Sequence, residues 1–241
     1  MIVAKTIKRF PLPFIFVYTV TILAIVLNHR HNDDIFPYIL TALFAFPFAG
    51  AVDVFMESKK FKESAKFFIR FFVLALVAAA YYYVFRQMEQ WNFEDITRFV
   101  LLFGAAGLLP FFAPFITRGK ANAFWQYSIA LIIRAFQALV FFGILFLGIA
   151  LLLVSIDYLF QVVIDEEYYF DVFLVISGIF ASMYFLSGVP SNFQRLEQTL
   201  AYPKFLRILT EYFLVPLIYL YLLVLYAYSA KILFTREWPM G

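Results

Sequence analysis

The chain has 241 residues, of which 64% are hydrophobic, 22% aromatic and only 15% charged, with a net charge of +3. A mean hydropathy of +0.86 exceeds what a water-soluble domain can bury, so the apolar surplus needs lipid as its solvent and the slight positive charge is no nucleic-acid signal. The absence of cysteine excludes disulfides, thiolate metal sites and cysteine nucleophiles.

A helix that crosses a bilayer needs roughly 20 apolar residues. Apolar runs of about that length predict seven spans, at 10–27, 35–55, 67–85, 99–116, 135–160, 169–188 and 212–233. The expected fold is an all-α, multi-pass transmembrane helical bundle, a single integral-membrane domain over 1–241. The first run follows Lys5, Lys8 and Arg9 in the manner of a secretory signal. It is longer than a signal core, and Asn28-His29-Arg30-His31 stands where a small-residue cleavage site would be, so it reads as a retained span. Span two contains Pro37 and Pro47. Asp53, near its end, and Arg70, near the start of span three, would meet as an ion pair in a helical hairpin. Span four carries Gly104, Gly107, Pro110 and Pro114. Span five is preceded by a semi-polar approach over 122–134, and Arg134 at its end is expected to snorkel toward headgroups. Asp157, Asp165, Glu166, Glu167 and Asp171 follow with no cation nearby in the sequence, and read as a solvated acidic loop. In span six, Gly178 and Ser182 are spaced to let two helix backbones approach closely.

The seventh span is the richest in tyrosine. At about 100° per residue, Tyr212, Tyr219 and Tyr226 share one stripe, with Tyr221 and Tyr228 nearly opposite. Glu211 lies between the stripes, one turn from Arg207. Arg207, Glu211, Tyr212, Tyr219 and Tyr226 form a candidate intramembrane polar site, because phenols and carboxylates are costly in hydrocarbon without partners. The plainer reading of the same residues is an interfacial Arg207–Glu211 pair and an aromatic belt. Alternate connecting segments hold twelve Lys/Arg against five, which sets the N-terminus in the cytoplasm and the C-terminus outside.

His29-x-His31-x-Asp33-Asp34 is the one metal-like pattern. A short exposed loop produces it by chance, and no metal site is assigned. Nucleophile-elbow, zinc-protease, P-loop and dinucleotide-binding motifs are absent from the sequence, and no catalytic residue or cofactor is assigned.

Tyr212-Phe-Leu-Val-Pro216-Leu-Ile-Tyr219-Leu-Tyr221, then Leu225-Tyr-Ala-Tyr228, Lys231-Ile232 and Trp238-Pro239-x-Gly241, resembles the DUF4153 family of bacterial multi-pass membrane proteins. Trp125, Arg134 and Gly188-Val-Pro190 fit the same pattern. The resemblance implies a bacterial inner-membrane location and a member that stops short of the family's further membrane segments. It implies no activity, substrate or catalytic residue.

The expected function is that of a non-enzymatic sensor, scaffold or accessory protein. Its partners would be the lipid bilayer and an unidentified membrane protein. The alternative is a transporter or channel for an ion or small solute, using Glu211 and the span-seven tyrosines. A lipid-modifying enzyme ranks third.

Overall fold

The computed structural model describes residues 2–30, 33–87, 92–116, 121–160 and 164–191, together with Val215, Ile218, Tyr219, Leu222 and Tyr226. The chain divides into two units, Met1–Gln198 and Thr199–Gly241. Every regular element among the described residues is helical.

In the first unit, α1 (Ile2–Arg9) is a short amphipathic helix, and α2 (Pro11–Arg30) follows it at once. Pro11 stands at the first position of α2, where its missing N–H costs nothing and its fixed φ suits a helix start. α3 spans Phe36–Ser58, α4 Glu63–Tyr83, α5 Phe93–Phe112 and α6 Ala121–Phe160. The last membrane-length helix among the described residues, Glu166–Ser187, is α7 (Glu166–Val175), a π-helical segment (Ile176–Ala181) and α8 (Ser182–Ser187). Among the described residues, six helices are thus long and apolar enough to cross a membrane. The seventh expected span, 212–233, falls almost wholly outside the described residues.

The helices start before the apolar runs do. Glu63 and Lys66 open α4, and Glu94, Asp95 and Arg98 open α5. Apolar length misses these charged first turns, which suit the ends of a helix that leave the hydrocarbon. The semi-polar approach 122–134 is itself continuous with α6, whose 40 residues extend about 60 Å. Its first third is anchored in protein, because Ala123, Tyr127 and Leu131 are buried.

α3 is the central helix. Of its apolar window 56% is buried, against 11% for α4 and 0% for α6. Ala42, Ala45 and Ala49 of α3 pack with Leu12 and Phe16 of α2 and with Val73 and Val77 of α4. Alanines at that spacing let two helices close on α3 at once. A second cluster joins Phe10, Phe14 and Val17 to Val54, Tyr127, Leu131, Leu186 and Val189, tying α2, α3, α6 and the end of α8 together. Pro47 and Pro110 lie inside α3 and α5, a placement that packed neighbouring helices tolerate.

The π-helical segment has a packing role. Gly178 lies so close to Thr21 of α2 that a Cβ there would collide with the Thr21 hydroxyl. Thr21 is itself buried and donates to the Val17 carbonyl at 2.9 Å. The wide turn and the glycine together bring the 166–187 helix against α2.

In the second unit, the five described residues are helical and their side chains are exposed. Val215, Ile218, Tyr219, Leu222 and Tyr226 fall on one helical face.

Candidate functional site

The charged residues at the N-terminal end of the bundle converge on one polar cavity of about 100 Å³. It lies among α1 (Lys8, Arg9), the last turns of α3 (Asp53, Met56, Glu57) and the first turns of α4 (Glu63, Lys66, Arg70). Asp53 and Glu57 are one turn apart and share a face of α3. Two like charges at that spacing repel, so the pair is tenable only with cations around it.

The cations come from two directions. Arg70 of α4 donates from Nε to Asp53 Oδ1 at 3.0 Å, and its Nη2 is also 3.0 Å from that oxygen. The expected Asp53 and Arg70 partners are therefore in contact. Arg9 of α1 donates to Glu57 Oε2 from Nε at 2.8 Å and from Nη2 at 2.6 Å. It also donates to the carbonyls of Val189 at 2.5 Å and Pro190 at 2.9 Å. One guanidinium thus ties α1, α3 and the segment after α8 together, using the fixed fork that makes arginine suited to multiple acceptors. Lys66 pairs with the exposed Glu63 at 2.7 Å.

Two groups are left over. Asp53 Oδ2 is buried and has no hydrogen-bond partner, while the Asp53 side chain as a whole is 2% exposed. Lys8 lines the cavity without an ion pair among the described residues. The four cations (Lys8, Arg9, Lys66, Arg70) outnumber the three carboxylates (Asp53, Glu57, Glu63) by one.

The loop beneath the cavity is rigidly built. Phe61 N–H donates to the Met56 carbonyl and Lys60 N–H to the Glu57 carbonyl, both at 3.1 Å. This is a Schellman end for α3, with Lys60 in the left-handed position (φ 54°) that glycine usually fills. Phe61 packs on Phe55, ring centroids 6.1 Å apart, supplying the apolar contact that accompanies the motif.

Arg134, expected to snorkel, turns onto the end of α8. Its Nε donates to the Tyr184 carbonyl at 3.1 Å and its Nη2 to Ser187 Oγ at 3.0 Å, and its Cζ lies 3.7 Å from the Tyr184 ring centroid. Gly188 has no room for a Cβ against this guanidinium. The orphan carbonyls of a helix end supply it with a partner.

At the opposite end of the bundle, His29 closes α2 onto α7. Its Nδ1 is 2.9 Å from Glu167 Oε2 and its Nε2 is 2.6 Å from Asp171 Oδ2. Asn28 adds bonds of 3.0 Å to the Glu167 carbonyl and to Asp171 Oδ1. The two carboxylates engage opposite ring nitrogens, so they cannot share one ion with the imidazole. Among the described residues no group of His, Asp and Glu is arranged to hold a metal. Part of the acidic stretch is therefore engaged with α2 rather than simply solvated.

Of the other sequence candidates, Arg207, Glu211 and Tyr212 lie outside the described residues. Tyr219 and Tyr226 are exposed, at 69% and 68%, beside Val215, Ile218 and Leu222. The residues that sequence reasoning missed are Arg9 and Glu57, 48 positions apart, and the carbonyls that Arg9 reaches 180 and 181 positions away. No local pattern announces contacts over such separations.

Comparison with known families matches residues 35–241 to one family, described as Domain of unknown function (DUF4153). No curated protein and no solved structure matches the chain.

Proposed function

The chain belongs to the DUF4153 family, which carries no assigned activity, and we propose from the geometry that it is a non-enzymatic integral membrane protein acting as a sensor, scaffold or accessory component. The observation that carries the proposal is the state of the charged groups in the polar cavity. Arg9–Glu57 and Arg70–Asp53 hold α1, α3, α4 and the 189–190 segment together. Such ion pairs fix helices in register; they do not present a nucleophile beside a base, the arrangement that covalent catalysis needs. Its partners in this reading are the bilayer and a second membrane protein.

The proposal sets the protein in a bacterial cell membrane with its N-terminus cytoplasmic. The twelve-to-five asymmetry of Lys/Arg supports that orientation. The side so assigned also carries the cavity and Lys59, Lys60 and Lys62 in the α3–α4 connection.

The competing reading is a transporter or channel that uses Glu211 and the tyrosines of 212–233. The exposure of Tyr219 and Tyr226 among apolar neighbours favours a lipid-facing belt over a polar path. Thermal stability of the purified protein, wild type against Glu211→Gln, across ions, small solutes and lipids separates the two. The sensor or scaffold reading expects a response to lipids alone, with the variant at most uniformly offset. Stabilisation by an ion or solute that disappears in Glu211→Gln would replace it with transport, since a ligand that binds the folded state stabilises by mass action.

A further inference from the structure

His29 holds α7 with both of its ring nitrogens. Nδ1 faces Glu167 Oε2 at 2.9 Å and Nε2 faces Asp171 Oδ2 at 2.6 Å. Both nitrogens donate at once only in the imidazolium; a neutral ring has one N–H and one lone pair. Loss of the proton therefore turns one of two charge-assisted hydrogen bonds into a lone pair set against a carboxylate oxygen. The side chain is 38% exposed, so water can deliver and remove the proton. Besides the two carboxylates, α7 brings the Tyr168 ring to 6.1 Å from the imidazole, centroid to centroid. On its own side of the contact, Arg30 stands beside His29, and Asp33 and Asp34 follow in the next turn.

The outer part of α7 has little else to hold it. None of the ten residues of α7 is buried. Its inner end rests on α6 through Phe173, whose ring lies 5.3 Å from Phe142 and 5.7 Å from Phe146, centroid to centroid. The π-helical segment 176–181 follows directly. The outer end, 166–171, is tied by His29 and by the bonds from Asn28 to Asp171 Oδ1 and the Glu167 carbonyl. The close approach of Thr21 to Gly178 joins α2 to the same helix about 12 Å further along α2. α7 is thus an arm with a wide turn at one end and a clasp at the other.

We propose that His29 is a proton-operated latch: charged, it clasps α7 to α2; neutral, it lets the outer end of α7 swing away about the π-helical segment. Below about pH 6.5 even a free imidazole is charged, while carboxylates stay ionised down to about pH 4–5, so the clasp is complete between those limits. What it contributes to stability is lost as the pH rises and the clasped ring becomes neutral. The inference deepens the sensor reading by naming the quantity sensed, the proton concentration at that face of the membrane, and rests on it for the latch's use.

The test is the spacing of α2 and α7 in the full-length protein in lipid nanodiscs. The chain has no cysteine, so Arg30→Cys and Phe170→Cys, both at exposed positions, place one spin label on each helix. At about pH 5.5 a short, narrow distance distribution is expected. At about pH 8.5, beyond the ordinary imidazole value of about 6.5, it should broaden and lengthen by about 2 Å or more. His29→Gln should show the long distance at both pH values. His29→Arg, charged throughout, should keep the short one at both. With His31→Gln the chain has one imidazole left, and its ring-nitrogen NMR titration should share its midpoint with the distance change. A distance independent of pH, a pH response that survives in His29→Gln, a short distance in that variant, opening of His29→Arg, or two separate midpoints would overturn the proposal. The sensor or scaffold reading fails on a different result, the ion or solute stabilisation lost in Glu211→Gln.

Discussion

Asp53 is buried near the end of α3, and Arg70 meets it from the neighbouring helix at 3.0 Å. Removing one partner of a buried pair strands the other, so Arg70→Ala is expected to cost about 3–5 kcal/mol. Replacing both, as Asp53→Leu with Arg70→Leu, should recover most of that loss, read as the melting temperature in detergent. A double variant as unstable as the single would assign the cost to packing instead of the orphaned charge. Lys60 offers the opposite sign. It occupies a left-handed position with its side chain exposed, and Lys60→Gly should stabilise by up to about 1 kcal/mol, the relief of strain outweighing the greater freedom glycine brings to the unfolded chain. A variant that melts lower would show that the Lys60 side chain has a partner that the backbone geometry does not reveal. The Asp53–Arg70 contact was legible in the sequence because a hairpin leaves only one place for each residue. Arg9 was not legible, because a guanidinium that reaches a carboxylate and two distant carbonyls depends on where three chain segments meet.

At the scale of elements, the join between the 166–187 helix and α2 depends on Gly178 and Thr21. Gly178→Ala inserts a methyl group where the Thr21 hydroxyl already sits, and overpacking of this kind costs about 1–3 kcal/mol. Thr21→Ala in the same chain removes the obstructing oxygen and should restore part of the loss, a coupling that a double-mutant cycle measures. Additive effects would mean that the two residues do not bear on each other. The spacing of Gly178 and Ser182 signalled close approach, but the π-helical turn that aims the glycine at α2 has no counterpart in the pattern of apolar residues. Apolar length likewise found the membrane-length helices and misplaced their starts, since α4, α5 and α6 each begin in charged or semi-polar turns. Such turns are polar because they reach the interface, and helical because the backbone must stay bonded until it does.

For the whole molecule, the two ends of the bundle differ in chemistry. One gathers Lys8, Arg9, Lys66 and Arg70 around the cavity, and the other joins His29 to Glu167 and Asp171. With the N-terminus cytoplasmic, a single cysteine at Lys62 should react only after the membrane is permeabilised, while one at Glu166 should react in intact cells. The reverse pattern would invert the proposed topology. A reporter fused after Gly241 should lie outside if 212–233 crosses as a seventh span, and a cytoplasmic reporter would remove that span from the count. The all-α membrane architecture could be read from the uninterrupted apolar runs, because the other fold that satisfies its backbone in lipid, a closed β-barrel, alternates apolar and polar residues. The charged cavity could not, since its members are scattered from Lys8 to Arg70 and only the folded helix ends assemble them.

The central position of α3 bears on how the protein is made. α3 carries Asp53 near its end, and the charge that neutralises it arrives 17 residues later on α4. A chain inserted one helix at a time would hold a bare carboxylate near lipid until Arg70 emerged. Insertion of α3 and α4 as a single hairpin avoids that state, and the short, firmly capped connection at 59–62 suits such a unit. Biogenesis, rather than the finished protein alone, then gives the Asp53–Arg70 pair its value.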